Sequence, residues 1–447
     1  MTYCHENGLF NGTILVDEQG QVIYDKAWGY ADFQSKKPLT NDAAFYLASV
    51  SKQFTTMAVM MLKEQGKLSY DDPLSKYFPE FPPYANTVTI RHMMTHTSGI
   101  PDHYRLGAGR PGLNNNDVFN LLIQQDTLDF TPGERYSYSN GGYILLSMIV
   151  EKVTGQLFSS YMKEHIFDPL GMNNTLVFDE SNTNVINRTI GYTPFGKPDD
   201  YNLYTTGAGG MYTTTGDLHK WDRALYTEQL VSQATLEDAF TPFQLNDGKT
   251  RNYGFGWRIQ EDSLTKKVFH TGGMAGFRTF LLRDITHKNA IIMLTNKGDA
   301  FPLGPMVTAL TNILEGKPYT LPQIPVSLAL YDLAKDGKMK KVNKQYRKLK
   351  QKHADKYDCS EEELNNLGYL LIAEEDLEAA KGIFKLNVDN YPQGFNTYDS
   401  YAEACMLLGE YDLARINYKK SLELNPENTN AEEMLKKLAE KEAKPQK

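Results

Sequence analysis

Ala48-Ser49-Val50-Ser51-Lys52-Gln53-Phe54 is the stretch on which the reading of this chain turns. Ser49 and Lys52 stand three apart, and apolar residues follow at once at Phe54, Met57, Ala58, Met60, Met61 and Leu62. That spacing predicts a helix of about 15 residues closed by Gly66, with Lys52 one turn after Ser49 on the same face. A hydroxyl at a helix start sits among free backbone N–H groups at the positive end of the helix dipole. Those are conditions for a nucleophile whose product is an oxyanion. By itself the pattern is also that of a plain helix cap, and the chain holds two further copies, Ser160/Lys163 and Ser263/Lys266. Neither of those opens an apolar helix.

The surrounding chain is ordinary globular protein. It has 447 residues, enough for two or three domains, with 41% hydrophobic and 23% charged residues. A net charge of −8 gives no reason to expect nucleic acid as a partner. No run approaches the roughly 18 apolar residues that a membrane helix needs. The start, Met1-Thr2-Tyr3-Cys4-His5-Glu6-Asn7, shows neither the basic patch nor the apolar run of a signal peptide. Three cysteines, Cys4, Cys359 and Cys405, have no metal-ligand spacing and form no disulfide framework.

Outward from the Ser49 helix, residues 9–30 read as a hairpin around Asp17-Glu18-Gln19-Gly20. Helices are predicted over 89–96, 117–124, 142–166 and 217–225. Between 252 and 296 the period becomes that of strands: Tyr253–Trp257, Lys267–His270, Phe277–Leu282 and Ala290–Leu294, separated by short turns. An early hairpin and a late strand run with helices between predict one α+β domain, its antiparallel sheet closed by both ends of the chain. A helix over 303–315 would cover a face of that sheet.

Pro318, Pro322 and Pro325 mark a boundary, dividing the chain into a domain over 1–316, a linker over 317–326 and a helical domain over 327–447. In the last, Ala380/Ala414, Phe384/Tyr418 and Pro392/Pro426 are each 34 apart. A 34-residue period with small residues where helices cross resembles tetratricopeptide repeats. One repeat back, Tyr346 would stand at the small-residue position, so 327–360 reads as a degenerate copy. The basic run Lys338–Lys356 reads as a solvated helix face.

Two more stretches carry chemistry. Tyr138-Ser139-Asn140 stands immediately before a predicted helix, and His270-Thr271-Gly272-Gly273 ends a predicted strand. With Ser49-x-x-Lys52, these resemble the three motifs of the serine β-lactamase and penicillin-binding-protein superfamily. The match is to its class C-like branch with D-alanyl-D-alanine carboxypeptidase and esterase relatives. The resemblance covers about residues 8–315 and extends to His96-Thr97-Ser98-Gly99-Ile100, Pro169-Leu170-Gly171-Met172 and Gly209–Thr214.

The resemblance implies an antiparallel sheet flanked by helices with a helical subdomain, and a set of roles. Ser49 would attack a carbonyl and form an acyl-enzyme. Lys52 or Tyr138 would take its proton, provided the fold lowers their pKa values from about 10.4 and 10. The N–H groups of Ser49 and Gly273 would form the oxyanion hole. Asn140 would orient Lys52 or the acyl amide, and His270, Thr271 and Gly272 would meet the substrate, His270 by a bond to it or to the Tyr138 oxygen. No metal or organic cofactor is implied, and an extracytoplasmic or periplasmic setting is suggested. Where lactam-destroying relatives usually carry Lys, this chain has His270, so ester or D-amino-acid peptide and amide hydrolysis rank ahead of β-lactamase or cell-wall peptidase activity. The alternative from another class is an inactive sensor or scaffold working through the repeats, which would bind a protein or peptide partner.

Overall fold

The hairpin forms where the turn cluster puts it. Strands β1 (Gly12–Glu18) and β2 (Gln21–Trp28) are joined through Gln19 and Gly20, both at positive φ. Four later strands follow: β3 (Arg258–Glu261), β4 (Lys266–Met274), β5 (Phe277–Asp284) and β6 (Asn289–Thr295). They join the hairpin in one antiparallel sheet of order β3-β4-β5-β6-β1-β2. The closing pair runs from Gly12 opposite Thr295 to Asp17 opposite Ala290, so the two ends of the domain meet in the middle of the sheet. Every residue of β6 is buried, whereas β2, at the edge, is largely exposed. The computed structural model describes residues 1–300 and 302–443, and it divides into two compact units, Met1–Tyr319 and Thr320–Lys447.

The predicted Ser49 helix is a 3₁₀ turn, Ala48–Ser51, running into helix α1 (Lys52–Glu64). Its residues from Lys52 to Leu62 are all buried, so α1 is a central helix and not an amphipathic cover. Phe54 stacks on Trp221 with ring centroids 4.2 Å apart. The helix expected over 142–166 is shorter: α2 (Asn140–Thr154) stops at Gly155, which takes the left-handed conformation at φ 72°. Helix α3 (Thr215–Ala224) lies against β1 and β6, and α4 (Leu303–Leu314) ends beside β4, where Lys267 pairs with Glu315.

The strand expected over Tyr253–Trp257 is a loop. Gly256, at φ 78°, passes so close to α1 that a Cβ there would lie 2.9 Å from the Lys52 carbonyl oxygen. Close backbone approach, not sheet pairing, is what its glycines serve.

The second unit is helical: α5 (Ser327–Lys335), α6 (Met339–Lys352), α7 (Glu361–Ala373), α8 (Leu377–Asn390), α9 (Phe395–Leu407), α10 (Tyr411–Leu424) and α11 (Thr429–Ala443). Residues 444–447 of the region read as this domain lie outside the described residues. The end of the segment read as a linker belongs here too, since Ile324–Pro325 pairs with Tyr357–Asp358 and Val326 is buried. The register of the first hairpin also needs correcting. Its turn residue Gly337 and its counterparts Glu375 and Gly409, all at positive φ, are spaced first 38 and then 34 residues apart (375 − 337, 409 − 375). Val342 therefore takes the place of Ala380. Tyr346 takes that of Phe384 and Tyr418, and all three aromatic rings are fully buried.

Candidate active site

Ser49 is held by its neighbours on both sides. Leu47 is pinned through its N–H to the Met211 carbonyl (2.7 Å) and through its carbonyl to the Thr279 hydroxyl (2.7 Å). Ala48 then adopts a left-handed φ of 48°, a conformation that costs free energy in a residue with a Cβ and must be held by its surroundings. Strand β4 presses on this turn at Gly272, where a Cβ would lie 2.4 Å from the Leu47 carbonyl oxygen. Ser49 is thereby presented at the wall of a cleft of about 100 Å³, with Asn140, Tyr104 and Gly273 on the same wall. The other two Ser-x-x-Lys copies have their serines exposed.

One helical turn on, Lys52 is completely buried. Its Nζ lies 3.1 Å from Ser49 Oγ, 2.8 Å from Asn140 Oδ1 and 2.8 Å from the Ala208 carbonyl oxygen. Among the described residues no carboxylate touches it. Burial pushes its pKa well below the ordinary lysine value, and only the charge of Asp102, one residue further away, pulls the other way. The neutral amine fits these partners. All three oxygens can accept from Nζ, and once the proton is lost two N–H bonds can go to Asn140 and Ala208 while the lone pair turns to the Ser49 hydroxyl.

Asn140 opens α2, whose cap is the adjacent Ser139 hydroxyl, accepting from Gly142 N–H at 3.3 Å. Its Nδ2 and backbone N–H both donate to Asp102 Oδ2, at 2.9 and 2.7 Å, which fixes the amide with its oxygen toward Lys52. Of the two roles expected for Asn140, orienting Lys52 is the one its bonds express.

Tyr138 places its ring 4.8 Å from Lys52 Nζ and packs on His96 at a tilt, with 4.1 Å between centroids. Burial pushes its pKa up, and the hydrogen bond with Ser49 opposes that only in part. The phenol is therefore held protonated.

His270 departs from expectation. It is 1% exposed and off the cavity wall, and both nitrogens are occupied. The Ser139 N–H donates to His96 Nδ1 (3.2 Å), so neutral His96 carries its proton on Nε2 and donates to the Tyr253 oxygen (3.2 Å). Tyr253 donates to His270 Nε2 (3.0 Å), and His270 Nδ1–H donates to the Thr271 carbonyl (2.6 Å). Burial pushes the pKa of His270 down to about 3. Its ring centroid lies 6.4 Å from that of Tyr138, with the two planes tilted by 43°, so the ring is placed as a buried brace behind the cleft. Thr271 and Gly272 likewise lie off the wall: the first supplies its carbonyl to His270, the second supplies space. Gly273 is on the wall with Ser49, as an oxyanion-hole pair requires.

Asp102 and His103 were not singled out by the motifs. They directly follow the quoted His96–Ile100 stretch, after Pro101, and a polar pair ending such a segment was the available signal.

A sheet closed by both ends of its domain, a buried central helix and a serine–lysine pair at a cleft define a serine hydrolase of the β-lactamase and penicillin-binding-protein kind. Comparison with known proteins agrees. The Beta-lactamase family matches residues 6–311, and the chain belongs to it. It is 36% identical to Penicillin-binding protein 4* of Bacillus subtilis (strain 168) over 348 residues, 72% of this chain and 76% of that protein. Among solved structures it is similar to the octameric penicillin-binding protein homologue from Pyrococcus abyssi. That match has 28% identity and a TM-score of 0.64 over 71% of this chain and 76% of the other. The fold is also that of D-amino acid amidase from Ochrobactrum anthropi SV3, at 24% identity and a TM-score of 0.58, over 68% of this chain and 94% of that one. Among the described residues no helix is long and apolar enough to cross a membrane, and no cluster suited to a metal ion is found.

Proposed function

We propose that the protein hydrolyses an ester or a D-amino-acid peptide or amide through an acyl-enzyme at Ser49. The observation that carries this reading is the buried Lys52 amine, 3.1 Å from Ser49 Oγ and bonded to neutral acceptors only. Such an amine is a base at neutral pH. In the first step Ser49 Oγ bonds to the carbonyl carbon as its proton passes to Lys52 Nζ. The oxygen that gains charge is met by the N–H groups of Ser49 and Gly273, a contribution of about 3 kcal/mol per donor. The bond to the leaving group then breaks, and that group takes the proton from Lys52, directly or across the protonated Tyr138. Water repeats the sequence on the acyl-enzyme. The upward shift of Tyr138 favours Lys52 over Tyr138 as the base.

The test is a burst of nitrophenol from p-nitrophenyl acetate, with the acetyl adduct read by intact mass. Ser49→Ala should abolish both; a variant equal to wild type would leave a scaffold working through the helical unit. A second reading, a penicillin-binding cell-wall peptidase, is favoured by the name of the 36% identical relative. It predicts labelling of Ser49 by a fluorescent penicillin. The helical unit is read as a tetratricopeptide-like module that binds a peptide or protein, on the strength of its 34-residue offsets, and pull-down with residues 320–447 deleted tests that.

A further inference from the structure

The cavity beside Ser49 holds a buried polar side chain that the fold does not use. His103 is 1% exposed and stands on the wall with Ser49, Asn140 and Tyr104. Neither ring nitrogen has a hydrogen-bond partner among the described residues. Its backbone is firmly tied, the carbonyl accepting from Leu106 N–H at 3.1 Å and Ala108 N–H at 3.0 Å. The Tyr104 ring packs on the imidazole with centroids 4.2 Å apart. Buried polar groups in folded proteins are nearly always paired. An imidazole fixed in place with both nitrogens idle is therefore a hydrogen-bonding capacity awaiting a ligand.

The charges around the cavity indicate what that ligand carries. Among the described residues its wall has no lysine or arginine. Lys52 lies behind Ser49, with its bonds spent on neutral acceptors. Arg278, beside Gly273, is engaged by Asp299 and by the carbonyls of Ala275 and Phe277. The charge nearest His103 in sequence is the Asp102 carboxylate, held by Asn140 and by Tyr104 N–H at 3.0 Å. A carboxylate on the acyl group would meet no counter-charge here. An amino group would meet the unpartnered imidazole, with the Asp102 carboxylate adjacent to it in sequence but off the wall.

We propose that His103 is the recognition group for acyl donors bearing an unblocked amino group, that is, amino-acid esters or amides, and accepts a hydrogen bond from that group's N–H. The proposal rests on the Ser49 acyl-enzyme reading and narrows its substrate class. An acyl group without the amine enters a cavity whose imidazole stays dry and unpaired, and sites built around such a bond discriminate strongly against the analogue that lacks it.

Three acyl groups of similar size test it as phenyl esters: alanine (D and L forms separately), propionate and hydrogen succinate. Phenol release by the full chain should give a kcat/KM for one or both alanine esters about ten-fold or more above propionate, with succinate the poorest. In His103→Leu the alanine-to-propionate ratio should fall toward one, and in His103→Gln, which keeps an acceptor, part of it should return. A merely structural histidine would lower all three rates together and leave the ratio intact, and that result overturns the proposal. So does a wild-type ratio of one or less, which needs no variant to fold. Turnover that depends on Ser49 but ignores the amine sinks this inference alone; absence of any Ser49-dependent turnover sinks the parent reading with it.

Discussion

Among the described residues of the catalytic unit, Lys52 and Arg283 are a lysine and an arginine buried almost completely, and their surroundings differ in kind. Arg283, on β5, donates from Nε to Asp222 Oδ1 and from Nη2 to the Asp222 carbonyl; Arg223 meets the same carboxylate. Among the described residues Lys52 has no carboxylate within contact, only the oxygens of Ser49, Asn140 and Ala208. The first cluster keeps its charges by neutralising them. The second surrounds its amine with neutral oxygens, where burial favours loss of the proton. Both solve the cost of burial, but only the second leaves a lone pair beside a nucleophile.

The comparison breaks most visibly at Lys52. Lys52→Met should lower kcat/KM on the ester by about 10³-fold, the loss of a general base, while chemical denaturation shows stability kept or raised. The folded lysine binds its proton less readily than the unfolded one. Wild-type stability should therefore climb as pH rises from that lowered pKa toward about 10.5, and the methionine variant should lose this climb. Asp222→Asn should do the reverse, costing about 3–5 kcal/mol in denaturant titration because Arg283 is left charged and dry, with kcat little changed.

Asp102→Asn sharpens the contrast at the one carboxylate near the amine. It should cost about 10²-fold in kcat/KM by loosening Asn140. It should also move the acid limb of the pH profile to lower pH, because removing the carboxylate that supports the ammonium form lowers the lysine pKa further. An unmoved limb would mean that another group is the base. The smallest effect belongs to Ser139→Ala, which removes the cap of α2 and should cost about 1 kcal/mol in thermal unfolding.

Much of the architecture was legible in one dimension because it depends on period and order. Alternation placed β4, β5 and β6, and the early hairpin had to join them to hide its apolar face. The 34-residue offset between α7 and α9 follows from repeated packing of the same helix pair. The loop over Tyr253–Trp257 imitates a strand in sequence because its glycines alternate with aromatic residues, whereas Gly254 serves close approach to the Ala239 carbonyl and Gly256 close approach to α1. The first helical hairpin was placed four residues out because the chain inserts those residues without disturbing the buried rings.

The sequence by itself determined that a serine, a lysine, a tyrosine and an asparagine with the spacing of a hydrolase exist, and the order in which they come. The tertiary structure alone decided what each is able to do. Whether Lys52 is a base depends on its being dry and without a carboxylate, and whether His270 or His103 faces the cleft depends on which side chains other segments cover. Burial and hydrogen-bond closure are properties of neighbours brought together from far along the chain, and no local pattern encodes them.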